Sequence, residues 1–282
     1  MDRVKLIKKI ERIGLSKRFF IRFNKFIRNQ LLFKLGIKLD KNARRLADLK
    51  NIHKGQRAFI IGNGPSLKIS DLSRLKNEIT FASNKIFLAF EETDWRPTYY
   101  SVYDLLVAQN NKNEISCLSL TKLFGSRLKI FFTKEQDIIY IDDLRNPGEA
   151  NDPQLRFSKN ILYGAYGGWS VIYMQIQLAF YMGISELYLI GVDFSFSVPK
   201  PSGEKTSHGE EILIHSGELN HFHPDYRKPG EKWSVPRLDF QYKAFQCAKD
   251  AFESEGRLIK NASRQTKLDV FPLADFDSIL SL

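Results

Sequence analysis

The 282-residue sequence predicts an α/β protein: a doubly wound, mainly parallel sheet with a lid, preceded by a basic amphipathic helical arm. Three observations predict it. Short, almost unbroken apolar runs at 58–61, 79–82, 99–103 and 187–193 alternate with helical stretches, as buried parallel strands joined by helices do. Residues 197–236 are rich in Pro, Gly, His and charge and read as a long functional loop or lid. The charge is concentrated at one end. Residues 1–50 hold 16 of the 43 Lys/Arg and 4 of the 32 Asp/Glu, a charge of +12; the remainder holds 27 against 28 and stands at −1, so the formal +11 belongs to the arm.

In chain order, residues 2–35 read as two helical segments broken near Gly14. On a helical wheel Leu6, Ile7, Ile10 and Ile13 share one face opposite Lys5, Lys8, Lys9 and Arg12. The second segment gathers Phe19, Phe23, Phe26 and Ile27 opposite Asn24, Lys25 and Arg28. Such helices suit an anionic membrane surface, and equally a packed helix with a solvated basic face. A polar linker covers 36–56. The catalytic domain is expected over 57–282, with its lid at about 197–236. Ala58–Ile61 is a buried-type strand followed by the turn Gly62–Leu67. Ile79–Ala82 is a strand ending at Ser83–Asn84, and Tyr99–Tyr103 a strand ending at Asp104. Runs 128–132 and 138–141 are two further strand candidates. Ser170–Met182 is an apolar helix with Gly183 as its C-cap. Leu187–Asp193 is the strongest strand, 237–255 is helical, and Arg257–Lys260 is the last strand.

Composition narrows the class. At 43% apolar and 27% charged the chain is globular. Cys117 and Cys247 are far apart and lack CxxC spacing, which argues against a disulfide framework or structural zinc and fits a reducing cytoplasm. No run approaches the roughly 18 apolar residues of a membrane span, and charges interrupt the N-terminus too often for a signal peptide. Confinement of the charge to the arm makes an address or tether a better reading than a nucleic-acid site, and places the protein at the inner face of the cytoplasmic membrane. A homo-oligomer is compatible with all of this.

Four constellations carry candidate chemistry. Gly62-Asn63-Gly64-Pro65-Ser66 follows a strand, where open α/β sheets bind ligands. Its glycines let the backbone approach a phosphate, Pro65 suits a first helical turn, and a helix N-terminus would supply free N–H groups. The alternative is a plain tight turn. Asn84 and Asp104 end the next two strands and are suited to a base edge, a ribose hydroxyl or a metal; each is also an ordinary cap residue type. Gly167-Gly168-Trp169-Ser170 opens a helix with another anion-friendly N-terminus, and Gly191-Val192-Asp193 ends the strongest strand. Finally, His208, His215, His221 and His223 cluster in the lid. His221 and His223 would share a face on a strand, but Pro224 follows and no third metal ligand is evident; a single histidine as general base is better motivated.

The segments FIIGNGPSL (59–67), ASNKIF (82–87), GGWSVIYMQIQLAFYMGISELYLIGVDFSF (167–196), NHFHPDY (220–226) and KLDVFP (267–272) resemble one superfamily over roughly residues 57–275. It comprises the 6-hydroxymethylpterin diphosphokinase (MptE)-like domain, the flagellin-modifying motility accessory glycosyltransferases and the bacterial lipooligosaccharide sialyltransferases. The resemblance implies a Rossmann-like domain with a nucleotide in its cleft. On the sialyltransferase side this is a CMP-activated nonulosonic sugar, passed by inversion to a surface glycan or lipid-linked acceptor, with no cofactor required. Asn63, Gly64, Pro65 and Ser66 would meet the phosphate and ribose region, and Asn84 the cytidine or sugar. Gly168 to Ser170 would meet the sugar carboxylate or phosphate, and Gly191 and Asp193 the nucleotide. His221 would be the base, with Tyr226, Arg227 and Lys228 near the leaving phosphate. The diphosphokinase branch would instead hold ATP and Mg2+, with Asp104 or Asp193 as ligands. A non-catalytic nucleotide-binding protein is the remaining reading. The region between Asp104 and Tyr163 matches none of these and should shape the acceptor site.

Overall fold

In a computed structural model, residues 40–132, 137–149, 152–199, 201–205 and 211–281 are described. The expected arm helices over 2–35, and His208, lie outside them. The chain divides into two units at Asp48/Leu49. In the first, helix α1 (Lys41–Asp48) is capped by Asp40, whose carboxylate accepts the Ala43 N–H at 2.9 Å.

The second unit is built on strands, in chain order β1 (Arg57–Ile61), β2 (Ile79–Ser83), β3 (Tyr99–Val102), β4 (Lys122–Gly125) and β5 (Ile138–Ile141). Short pieces follow: β6 (Asp143–Leu144), β7 (Gly148–Glu149), β8 (Asp152–Pro153) and β9 (Ala165–Tyr166). After them come β10 (Glu186–Ile190), β11 (Pro201–Lys205), β12 (Glu211–Ile214), β13 (Lys232–Ser234) and β14 (Leu258–Asn261). Seven of these form one parallel sheet in the order β14-β10-β1-β2-β3-β4-β5. Strands β1 (RAFII) and β10 (ELYLI) are interior strands, each with four consecutive buried residues, as covering on both faces demands. From β1 the chain winds outward to β5, then returns to β10 on the other side of β1. The carboxyl ends of β1 and β10 therefore flank the topological switch point, where such sheets open a crevice.

Helices α2 (Ile69–Arg74), α3 (Leu105–Asn110), α4 (Lys112–Cys117), α5 (Val171–Tyr181) and α6 (Leu238–Glu253) lie between the strands, and α7 (Phe276–Ile279) follows the last of them. Helix α5 is buried on all sides from Ile172 to Tyr181 and packs on β1, β2, β3 and α6. Burying each large apolar side chain there contributes about 1.5–3 kcal/mol relative to exposure. Its two buried glutamines serve the surrounding backbone. Gln175 donates to the Ala82 carbonyl at 2.9 Å, and the Gln177 carbonyl accepts the N–H groups of Ser158 and Tyr166. The helix ends as its sequence predicts. Gly183 takes φ +87°, its N–H donates to Phe180 and that of Ile184 to Ala179, the paired bonds of a Schellman cap.

Three sequence expectations are corrected. Run 128–132 is not a strand: β4 lies earlier, at Lys122–Gly125, and Ser126–Ile130 forms a 3-10 turn. Leu128 and Phe132 are both buried while Ile130 is 70% exposed, an i, i+4 spacing that fits a helical turn and not strand alternation. Pro65 is not in a first helical turn, because α2 begins only at Ile69 after Lys68 as N-cap. The lid is not all loop: β11, β12 and β13 form a small antiparallel sheet, with Leu213 opposite Trp233 and both buried. Among the described residues no helix is long and apolar enough to cross a membrane.

Candidate functional site

The crevice is made by two strand-end loops that approach each other at backbone distance. The Gly62 N–H donates to the Ile190 carbonyl at 2.8 Å, and the Gly64 N–H to Gly191 at 2.9 Å. A Cβ on Gly62 would stand 2.2 Å from the Gly191 oxygen, and one on Gly64 2.6 Å from an Asp193 carboxylate oxygen. These glycines therefore serve contact between the two loops. Asp193 closes the junction: its carboxylate accepts the Ser66 N–H at 2.7 Å and the Ser66 hydroxyl. Burial raises the Asp193 pKa above the usual carboxylate value, and the two bonds from Ser66 oppose that rise.

Two asparagines stand on the crevice wall. Asn63 donates its amide to the Ser83 carbonyl at 3.2 Å, and Asn84 lies one residue beyond β2. The amide oxygens of both are buried and accept no hydrogen bond among the described residues. Asn84 also adopts φ +53°, and its carbonyl accepts the Tyr100 hydroxyl at 2.6 Å. Two bulky residues at the same site share this left-handed backbone, Trp169 at φ +53° and Phe194 at φ +55°. A conformation this unfavourable for large side chains persists where its surroundings over-determine it, and such positions concentrate at functional sites. Trp169 is held by Gln241, which donates to its carbonyl at 2.9 Å. Next to it Ser170 caps α5, accepting the Ile172 N–H at 3.2 Å, so the N-terminus of the most buried helix faces the crevice.

The lid covers the opening. The Phe222 N–H donates to the Asn63 carbonyl at 3.0 Å, tying lid to turn. Asn220 exchanges a pair of hydrogen bonds with the backbone of Ser197, at 2.7 and 2.8 Å. Buried Lys85 donates to the Tyr226 carbonyl at 2.6 Å and pairs with Glu231 at 3.1 Å. The His221 ring stacks on Tyr226 with centroids 3.7 Å apart and planes within 4°. Burial first, then the charges of Arg227, Lys85 and His215, hold the His221 pKa well below the usual imidazole value, so the ring is neutral at pH 7. Burial likewise pushes the Tyr226 phenol up to about 12. The space in the crevice, about 150 Å3, is below the roughly 300–1,000 Å3 of small-molecule sites.

A model of the family described as 6-hydroxymethylpterin diphosphokinase MptE-like matches residues 35–199, more than half of the sequence. The chain belongs to this family. Among proteins of curated function none matches. Of solved structures, that of the MAf glycosyltransferase from Magnetospirillum magneticum AMB-1 aligns at 16% identity with a TM-score of 0.48. The alignment covers 93% of this chain and 43% of that one, so this chain spans under half of that neighbour's length.

In this MptE-like chain Gly62, Asn63, Gly64, Asn84, Ser170, Gly191, Asp193, His221 and Tyr226 all line one cavity. Pro65, Ser66, Asp104, Gly168 and Arg227 lie off its wall. Asp104 instead caps α3, accepting the N–H groups of Leu106 and Val107 at 2.7 and 3.0 Å. Gly168 makes room for packing: a Cβ there would meet Tyr173 at 2.5 Å and Ala244 at 2.8 Å. His221 and His223 are engaged separately, because the His223 ring accepts the Asp225 N–H at 3.1 Å. Sequence reasoning missed Ser83, Phe196, Asn220 and Gln241 on the wall. Asn220, next to His221 in the motif, carried a usable signal; Gln241, inside a regular helix, carried none. The family name raises Mg2+ with ATP, and the donor set fits the ion poorly. Asp193 is the one carboxylate on this wall among the described residues, and Ser66 occupies both its oxygens. No group of three His, Cys, Asp or Glu residues able to hold a metal ion stands among the described residues.

Proposed function

We propose that the chain is an inverting glycosyltransferase that moves a nonulosonic, sialic-acid-like sugar from a CMP-activated donor to a glycan or lipid-linked acceptor. The observation that carries this reading is the pair of buried, unfilled acceptors at Asn63 and Asn84, standing in the same crevice as the neutral ring of His221. Two amide oxygens in want of donors suit the exocyclic amine and hydroxyls of a nucleoside, and a crevice whose Asp193 carboxylate is held by Ser66 offers little to the Mg2+ of a triphosphate. In the step proposed, His221 takes the proton of the acceptor hydroxyl. The hydroxyl oxygen forms a bond to the anomeric carbon as the bond from that carbon to the CMP phosphate oxygen breaks. The N-terminus of α5 and the lid phenol Tyr226 stabilise the departing phosphate. The basic segment at 1–35 would bring this chemistry to an anionic membrane surface.

The second reading, an ATP- and Mg2+-dependent pterin diphosphokinase-like enzyme, is favoured by the family match alone. Thermal stabilisation by CMP, ATP with Mg2+, GDP and UDP separates the two. A nucleotide at a hundredfold excess over its Kd adds about 2.7 kcal/mol to stability. CMP should stabilise most; a response confined to ATP with Mg2+ overturns the proposal. His221→Ala should abolish transfer and keep CMP affinity within about twofold, and turnover surviving in that variant would move the base elsewhere.

A further inference from the structure

Two arginines at the carboxyl edge of the sheet are left unsatisfied by the crevice chemistry. Arg127 lies on the 3-10 turn Ser126–Ile130 just after β4, with its guanidinium 4.2 Å from the centre of the Tyr103 ring. Its Nε is buried and makes no hydrogen bond among the described residues. Arg227 follows the lid turn Pro224–Tyr226, with its guanidinium 3.6 Å over the Trp233 ring. Its Nη1 is likewise buried and unpartnered among the described residues. Asp104, Glu218 and Glu231 are close enough to act on Arg227 through their charge, yet among the described residues none forms an ion pair with it, and burial holds its pKa down at about 10. Both arginines flank one helix. Asp104, the residue after Tyr103, caps α3, and α3 packs against both the Arg127 turn and β13, the strand that carries Trp233. Neither guanidinium lines the cavity between β1 and β10.

We propose that Arg127 on Tyr103 and Arg227 on Trp233 form a second subsite, around the N-terminal end of α3, that binds an anionic group of the acceptor. The word acceptor rests on the glycosyltransferase reading; the anion site does not. A guanidinium held over an aromatic ring is restrained in position, and its remaining donors can receive a carboxylate or phosphate in bidentate fashion. A buried N–H left without a partner is costly, and an oxyanion removes that cost. The site is assigned to the acceptor because neither arginine stands on the wall of the donor crevice, while Arg227 directly follows Tyr226, which does. Acidic-sugar carboxylates and lipid-linked phosphates share the required chemistry.

The test uses the full chain and two probes, N-acetylneuraminate and inorganic phosphate, titrated calorimetrically with CMP saturating. At least one probe should bind alongside CMP, and Arg127→Gln and Arg227→Gln should each weaken it tenfold or more. Arg127→Gln should hold CMP affinity within about twofold, which also reports that it folds; Arg127→Lys, which keeps the charge and loses the fork, should fall between. Preference for neuraminate names the carboxylate as ligand, and preference for phosphate names the phosphate. Binding of neither probe, displacement of the probe by CMP, or affinity unchanged in both glutamine variants would each overturn the subsite. An arginine-dependent anion response in a chain that ignores CMP would sink the donor assignment and leave the subsite standing.

Discussion

At position 62 the backbone has room for hydrogen alone. A methyl group there would stand 2.2 Å from the Gly191 carbonyl oxygen and 2.7 Å from its carbon, backbone atoms that cannot swing aside as a side chain can. Gly62→Ala should therefore cost about 3 kcal/mol in urea unfolding, the upper end of overpacking, and abolish nucleotide binding with it. A loss below about 1 kcal/mol would mean that the two loops can separate. His221 makes a second prediction. Its folded pKa lies below the unfolded value of 6.5, so the unfolded chain takes up the proton first. Its contribution to stability is complete above about 6.5 and is lost as pH falls from there toward the folded pKa. Asp193 runs the other way, because its folded pKa is raised above 3.8 and its cost appears as pH rises through that folded pKa. Unfolding measured across mildly acidic pH should show stability falling with pH, and His221→Phe, which keeps the stack on Tyr226, should flatten that slope. The glycine motif was visible in the sequence, but its purpose was not. The short spacing advertised a close approach without naming the partner, and the approaching atoms belong to Gly191 and Asp193. The left-handed backbone of Trp169 and Phe194 left no trace, since neither residue type favours that conformation.

Strands buried on both faces announced themselves, because β1 and β10 must be apolar along the four consecutive positions covered from both sides. The lid sheet did not. Strand β11 reads Pro-Ser-Gly-Glu-Lys, mostly exposed, and is held by its partner's backbone with no apolar alternation of its own. Run 128–132 misled for the converse reason: five residues of mixed apolar character suit a strand or a single helical turn, and Leu128 with Phe132 selected the turn. The attachment of the lid to the sheet depends on Lys85, which carries a buried charge to the Tyr226 carbonyl and to Glu231. Lys85→Met strands Glu231 without its cation and should cost about 3 kcal/mol. It should also speed hydrogen exchange at the Phe222 amide, whose bond to Asn63 lies in the same hinge of contacts. Exchange at Phe222 matching that of the parent chain would show that the lid is held elsewhere.

At the scale of the whole chain, composition separates a basic N-terminal segment from a nearly neutral remainder. The +12 of residues 1–50 is an electrostatic property, independent of fold, and is therefore readable without one. Deleting residues 1–50 should abolish binding to vesicles containing anionic lipid and leave transfer to a soluble acceptor unchanged. Vesicle binding that survives the deletion would assign membrane affinity to the α/β body.

The family match ends at residue 199, and the lid residues over the crevice, Asn220, His221 and Tyr226, all come after it. The floor of the site thus lies within the matched segment, and the roof lies beyond it. The lid carries its own small sheet, enters after β10, leaves into α6, and is tied to the body at Asn63 and Lys85. A chimaera carrying another member's segment 197–236 would show whether reaction type travels with the roof while nucleotide choice stays with the floor.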